Sequence, residues 1–274
     1  MKITELRYSN TNTYVIESER GKILFDTGWA GSFPAFCHAM GEAGISVPSF
    51  SAILLSHFHP DHMGIAQEIA DRGPVILVPD VQLPFLHASD SIFEKEKNTA
   101  FRPITDEKVR SFPLTESREV LRSYGIDGEI LHTPGHSDDS ISLCLSDGSI
   151  FVGDLNPLYE LELHRGTQIG ESWERLLALQ PKTVYYGHAK TAVLSETSST
   201  EPVMEKETAP ADDADLYKLV STIMKLIDRN CTLAKIQKKT GADAGFIEDV
   251  TRMYLTHRNI GVRGILDRIE IKGK

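Results

Sequence analysis

The segment His57-Phe58-His59-Pro60-Asp61-His62 places four metal-ligand side chains within six residues. In extended backbone, residues two apart face the same side, so His57, His59 and Asp61 converge. His62 joins them if a helix begins there and its first turn redirects the side chain. A helix throughout would not aim His57 and His59 the same way. The segment follows the apolar run Ala52-Ile53-Leu54-Leu55-Ser56, which reads as a buried strand. It precedes a helix expected over residues 63–72, which stops at Gly73-Pro74. The chain must therefore hold a strand-to-helix loop rigidly enough to gather imidazoles and a carboxylate, the usual ligands of zinc. A solvated, inert His-rich turn is the alternative, and three histidines with one aspartate at this spacing weigh against it.

Three later positions repeat the pattern of a ligand type just after an apolar run. His136 follows His132-Thr133-Pro134-Gly135, Asp154 follows Phe151-Val152-Gly153, and His188 follows Tyr185-Tyr186-Gly187. The glycine beside each permits close backbone approach. Strands ending together at one sheet edge would bring all three beside the first motif. The strands expected are a hairpin over 14–18 and 22–26, then 75–78, 129–132, 140–145, 149–152 and 183–186. Residues 171–179 read as a helix. Residues 80–125, with Pro84, Pro103 and Pro113, read as helical pieces and loops. Residues 195–214, rich in Ser, Thr, Glu, Ala and Pro, read as a flexible linker. Beyond it, 216–228, 232–240 and 244–257 are helical by pattern, and 262–271 suits one or two strands. The expected organisation is a catalytic domain over 1–194, a linker over 195–214 and a small module over 215–274.

On these residues the chain resembles the metallo-β-lactamase superfamily, and is similar to the hydrolase branch that holds glyoxalase II and lactonases. The match is His57-x-His59-x-Asp61-His62, then His136, Asp154 and His188 in order, within roughly residues 10–192. The Asp26-Thr27-Gly28 turn also looks like the family's. The resemblance implies an α+β fold, an αββα sandwich with metals at one edge of two facing sheets. To this the chain adds a mostly helical, helix-turn-helix or winged-helix-like C-terminal module. The resemblance further implies that His57, His59 and His136 hold one metal, that Asp61, His62 and His188 hold a second, and that Asp154 bridges both.

Such a centre takes two divalent ions, zinc foremost, with iron or manganese also suited to the ligands. It would generate a metal-bridging hydroxide at neutral pH and polarise the scissile group. Asp61 is the expected catalytic residue, orienting that nucleophile as well as binding metal. The remaining ring nitrogens need acceptors that fix the tautomers. Asp26 is a candidate for this, a plain turn aspartate being the alternative. His132, read as a strand residue, is a further candidate for touching the site; Tyr159 and His164, on the loop after Asp154, could contact substrate, although solvated loop residues are commoner. His38, His87 and His257 read as surface or helix residues, and Cys144, between two leucines, as a packed thiol.

The function favoured is a metal-dependent hydrolase of a small ester, thioester or lactone. A phosphodiesterase or RNA nuclease is the first alternative, suggested by the stretch His132 to Asp139 and the helical tail. An iron-dependent persulfide dioxygenase-like oxygenase is the second, and a non-enzymatic metal sensor or redox scaffold the third. Charge weighs against nucleic acid. Residues 212–274 hold 12 Lys/Arg and 9 Asp/Glu, whereas residues 1–211 hold 17 and 30. An acidic body disfavours dense phosphate contacts, and a net +3 in the tail is no basic stripe. A weak anionic contact through Arg252, Arg258, Arg263 and Arg268 is the competing reading. Phe246, Val250 and Tyr254 share one helical face, and the module is expected to pack on the catalytic domain or to form a homodimer. No apolar run approaches a bilayer span, and Met1 to Tyr8 lacks a leader's apolar core. Cys37, Cys144 and Cys231, far apart and odd in number, suit a reducing compartment. A cytoplasmic enzyme with a small-molecule substrate is the expectation.

Overall fold

The computed structural model describes residues 1–194, 211–229, 231–256, 262, 265 and 266. Its first sheet runs β1 (Lys2–Leu6), β2 (Thr13–Glu17), β3 (Lys22–Phe25), β4 (Phe50–Leu54), β5 (Val75–Pro79) and β6 (Val109–Phe112), in that spatial order. The first three strands are antiparallel, and β3 to β6 are parallel. The second sheet has the order β11-β10-β9-β8-β7, built from β7 (Gly128–His132), β8 (Ile141–Leu145), β9 (Ser149–Phe151), β10 (Thr183–Tyr185) and β11 (Ala192–Val193).

The period-2 alternation of strand side chains sorts the core into layers. Tyr14, Ile16, Ile23, Phe25 and Leu54 point between the sheets, where they meet Ile130, Ile141, Leu143 and Phe151. The intervening Val15, Leu24, Ile53, Ile76 and Val78 line the opposite face of the first sheet. Helix α1 (Phe33–Glu42) covers that face with Phe36 and Met40. The short helices α2 (Pro60–Met63), α3 (Ala66–Ala70) and α4 (Asp90–Lys95) add Met63, Ile69 and Phe93. Helix α5 (Ser117–Ser123) closes the inter-sheet core with Val120 and Leu121. The outer face of the second sheet, with Cys144, Ile150 and Val184, is covered by α6 (Gln168–Leu177) through Trp173 and Leu176. Two sheets with helices outside both make the αββα sandwich. Strands apolar on both faces are what such double coverage demands.

The structure departs from the sequence reading in a few places. The helix expected over 63–72 is broken into α2 and α3 at Gly64-Ile65. Gly64 lies so close to the Trp29–Ala30 backbone that a Cβ there would sit 2.3 Å from the Ala30 nitrogen. Tertiary contact, not helical periodicity, sets the chain path at that point. Within 80–125 there is a strand, β6, whose Val-Arg-Ser-Phe sequence at the sheet edge is largely exposed and carries no apolar run. Strands β1 and β11 likewise have no counterpart in the sequence reading.

Toward the C-terminus, α7 (Ala211–Asp228), α8 (Leu233–Thr240) and α9 (Ala244–Thr256) close around Val220, Ile223, Leu226, Ile236, Ile247 and Val250. The linker expected over 195–214 overlaps α7, because its last residues, rich in Ala and Asp, suit a helix start. Residues 195–210 lie outside the described part. Helix α8 ends at Gly241 (φ +71°), whose N–H reaches the Gln237 carbonyl, a left-handed cap that glycine makes at little cost. Phe246, Val250 and Tyr254 belong to this core rather than to a free face. Where strands were expected over 262–271, the described residues Val262, Ile265 and Leu266 are helical. Their i, i+3, i+4 spacing puts all three on one face, against the same core. His257, Arg258, Arg263, Arg268 and the Arg252 side chain lie outside the described part. Among the described residues no helix is long and apolar enough to cross a membrane.

Candidate metal centre

Every candidate ligand follows the C-terminal end of a strand: β4 leads to His57–His62, β7 to His136, β9 to Asp154 and β10 to His188. The first motif changes conformation in its middle. His59 is still extended (φ −70°, ψ 152°), as a residue before proline prefers, and Pro60 opens α2 at its first position. His57 and His59 therefore share a side through extended backbone, and the helical turn swings His62 back to them. This is the geometry the spacing implied.

The side chains assemble into three overlapping groups whose ligand atoms lie within 4.8 Å of one another. They are His57/His59/His136, His57/His62/Asp154 and Asp61/His62/His188. His136 Nε2 is 3.0 Å from His59 Nδ1. His188 Nε2 is 2.9 Å from Asp61 Oδ2 and 3.2 Å from His62 Nε2. Asp154 stands between the groups. Its Oδ1 faces His62 Nε2 (3.2 Å) and His188 Nε2 (3.4 Å), while Oδ2 faces His136 Nε2 (3.4 Å). Gly187 makes this approach possible, since a Cβ there would lie 2.7 Å from Asp154 Oδ1.

The outer ring nitrogens show which atoms are left for a metal. His62 Nδ1 is 2.9 Å from Asp26 Oδ2, and His188 Nδ1 is 2.6 Å from the Asn10 carbonyl. Carboxylate and carbonyl oxygens only accept, so both Nδ1 atoms donate and both Nε2 atoms are the ones turned inward. His57 Nε2 is buried with no hydrogen-bond partner. A buried lone pair with no donor, facing a cluster of imidazoles and carboxylates, suits a cation; the donor set fits zinc or another borderline divalent ion.

The surrounding charges and burial set the protonation of these groups. Burial, reinforced by the neighbouring His62, His59 and His136, pushes the His57 pKa well below the usual imidazole range, so the ring is neutral. Burial alone would lower His62 too, but Asp154, Asp26 and Asp61 outweigh it and hold its pKa well above the usual range, so the ring carries a second proton that a cation would displace. Burial would raise both carboxyls. His62 and His188 overcome it at Asp61, and His188, His62 and His136 at Asp154, holding both below the ordinary carboxylate range and ionised.

Asp26, a candidate for fixing one of these rings, holds His62 Nδ1. It is fully buried at the end of β3 and also accepts from the Ser56 backbone N–H (2.7 Å) and hydroxyl (2.9 Å). Other supporting residues escaped the sequence reading. Thr11 Oγ1 donates to the Asp61 carbonyl, and Asn12 Nδ2 to the carbonyls of Tyr186 and Ala189, bracketing the His188 loop. Asp139 accepts from the Phe58 N–H at 2.6 Å, inside the ligand motif. The buried Gln82 amide donates to the carbonyls of Leu55, Ser56 and Asp139. The sequence signal of Thr11, Asn12 and Asp139 is only that of turn-forming polar residues, and Gln82 carries none.

His132, Tyr159 and His164 belong to none of the three groups. His132 bonds the Asp138 carbonyl at 2.7 Å, Tyr159 is exposed, and His164 is buried beside α6. His38 pairs with Glu42 and His87 with Asp90 at the surface. Cys144 is a packed thiol.

The family model of the metallo-beta-lactamase superfamily matches residues 6–188. Among curated proteins, the chain is similar to the beta-lactamase-like protein 2 homolog of Drosophila melanogaster, with 27% identity over 186 residues. That match covers 65% of this chain and 58% of the fly protein. It is also similar to an atrochrysone carboxyl ACP thioesterase of Aspergillus fumigatus, 31% identical over 145 residues, covering 53% of this chain and 29% of that one. The chain thus spans less than two thirds of either relative. Among solved structures, a metallo-beta-lactamase family protein from Thermus thermophilus superposes with a TM-score of 0.55 at 18% identity. The superposition covers 99% of this chain and 94% of that one. At that identity it speaks for the fold.

Proposed function

Because the chain belongs to the metallo-beta-lactamase superfamily, we propose that it is a hydrolase that cleaves a small ester, thioester or lactone at a centre of two zinc ions. The observation that carries the reading is the divided presentation of Asp154, one oxygen toward His62 and His188 and the other toward His136. A carboxylate set between two ligand groups suits a pair of ions. His57, His59 and His136 would hold the first, Asp61, His62 and His188 the second, with Asp154 shared. When bound, the ions supply a nucleophilic hydroxide at neutral pH and polarise the acyl oxygen. Asp61, kept ionised by His62 and His188, orients the nucleophile. Asp26 and the Asn10 carbonyl hold His62 and His188 in the ligating tautomer. The thioester option draws support from the name of the Aspergillus relative, and the acidic body favours a small substrate over a phosphate backbone.

Metal analysis of the purified protein, coupled to a panel of thioesters, lactones and phosphodiesters, tests this. The expected result is two zinc ions per chain and turnover of an acyl substrate. Turnover of phosphodiesters alone, or oxygen uptake by an iron-loaded protein, would refute it. The C-terminal helices, closed around their own core, we assign to packing or homodimerisation. Tight, salt-sensitive RNA binding by the full chain would overturn that assignment.

A further inference from the structure

The geometry points to Ser56 as a positioning residue that ties the first ligand group to the same carboxylate that orients the second. This rests on the two-metal reading above. Ser56 is buried one residue before His57. Its Oγ lies 2.9 Å from Asp26 Oδ2 and 2.9 Å from His57 Nδ1. An ionised carboxylate only accepts, so the single hydroxyl proton goes to Asp26. Toward His57 the oxygen can then only accept, and His57 Nδ1 must carry the proton. That leaves His57 Nε2 unprotonated, and it is this buried atom that faces the first ligand group without a hydrogen-bond partner. His62 is anchored differently, with its Nδ1 bonded to the same Asp26 Oδ2 directly, at 2.9 Å. Its 3.3 Å approach to Ser56 Oγ is the longer of its two contacts. One carboxylate oxygen thus sets one ring of each group, His62 by contact and His57 through the serine.

The two rings should therefore respond differently to loss of the hydroxyl. Without it, the His57 Nδ1–H is buried and unpaired. The ring relieves that by moving its proton to Nε2, which then cannot ligate. His62 keeps its own acceptor. Gly153 backs closely on Ser56, where a Cβ would come within 2.5 Å of both Ser56 Cβ and Oγ.

The test is Ser56→Ala in the full chain, metal-free, titrated with Zn²⁺ against a chromophoric chelator and with Co²⁺ by its ligand-field absorption. Wild type should show two binding steps. In the variant one step should weaken roughly 10–100-fold while the other stays within about twofold. Ser56→Thr, which keeps the hydroxyl, should restore both, and circular dichroism checks that each variant is folded. Two steps unchanged in Ser56→Ala, two steps weakened equally, or a folded Ser56→Thr that fails to restore binding would overturn the role of Ser56 alone. Fewer than two ions in wild type would overturn the two-metal reading, and the coupling with it.

Discussion

Replacing Asp26 by asparagine changes the site by one oxygen for one amide nitrogen and leaves the backbone suited to either residue. Asp26 has φ +60°, a left-handed conformation that asparagine tolerates as well as aspartate does. The carboxylate receives three donors: the Ser56 N–H at 2.7 Å, the Ser56 hydroxyl at 2.9 Å and His62 Nδ1 at 2.9 Å. An amide can satisfy them only in part. If its oxygen keeps the Ser56 N–H, its NH2 points at the hydroxyl and at His62. His62 must then accept at Nδ1 and carry its proton on Nε2, the atom that faces Asp154 and His188. If the amide flips, its NH2 opposes a backbone N–H that cannot change protonation, and leaving that donor unpaired costs about 1–3 kcal/mol. The first arrangement keeps the fold and loses the ligand; the second keeps the ligand and loses stability. Metal affinity should fall roughly 10–100-fold in the first case. Melting should drop by about 2–12 °C in the second, at roughly 2–4 °C per kcal/mol for a chain of this size. Chelator competition and thermal melts of the metal-free protein read the two outcomes separately. Wild-type affinity together with an unshifted melting temperature would refute the donor accounting.

Asp61→Asn should leave the fold intact and lower kcat by about two orders of magnitude or more, since an amide neither ligates well nor orients the nucleophile; near-normal turnover at equal metal content would reject the role. Gly187→Ala would press a methyl to 2.7 Å from Asp154 Oδ1 and 2.8 Å from His62 Cε1. It should destabilise the fold by about 1–3 kcal/mol and reduce metal content, as urea unfolding and metal analysis would show. Cysteine reactivity should separate by burial. Burial, and then the charge of Glu129, push the Cys144 thiol up to about 12, whereas Cys37 is exposed. Alkylation at pH 8, mapped by mass spectrometry, should modify Cys37 in the native protein and Cys144 only after unfolding.

The candidate ligands and the strands that present them are legible because both leave local marks. Imidazoles and carboxylates at alternating spacing have few structural uses, and a strand buried on both faces must be apolar throughout, as Ile53-Leu54-Leu55 is. Elements held mainly by backbone pairing left no such mark. Edge strand β6 shows only Phe112 fully to the core, and β1 only Leu6. The helical period across Gly64 is real, but the approach of the Trp29–Ala30 backbone breaks the helix there. The supporting shell is hidden for a further reason, in that it works through main-chain atoms and very long sequence separations. Asn10 contributes a carbonyl to His188, 178 positions away, and Thr11 a hydroxyl to the Asp61 carbonyl, 50 away. Asparagine and threonine in such a loop read only as turn formers. Asp26 was half visible, because an aspartate in a turn after a strand has either a local or a distant partner, and spacing alone does not choose. Proton placement at the centre is decided by those distant partners. The direction of the Ser56 hydroxyl, and with it the tautomer of His57, follows from a carboxylate 30 positions earlier that no neighbour of Ser56 in sequence announces.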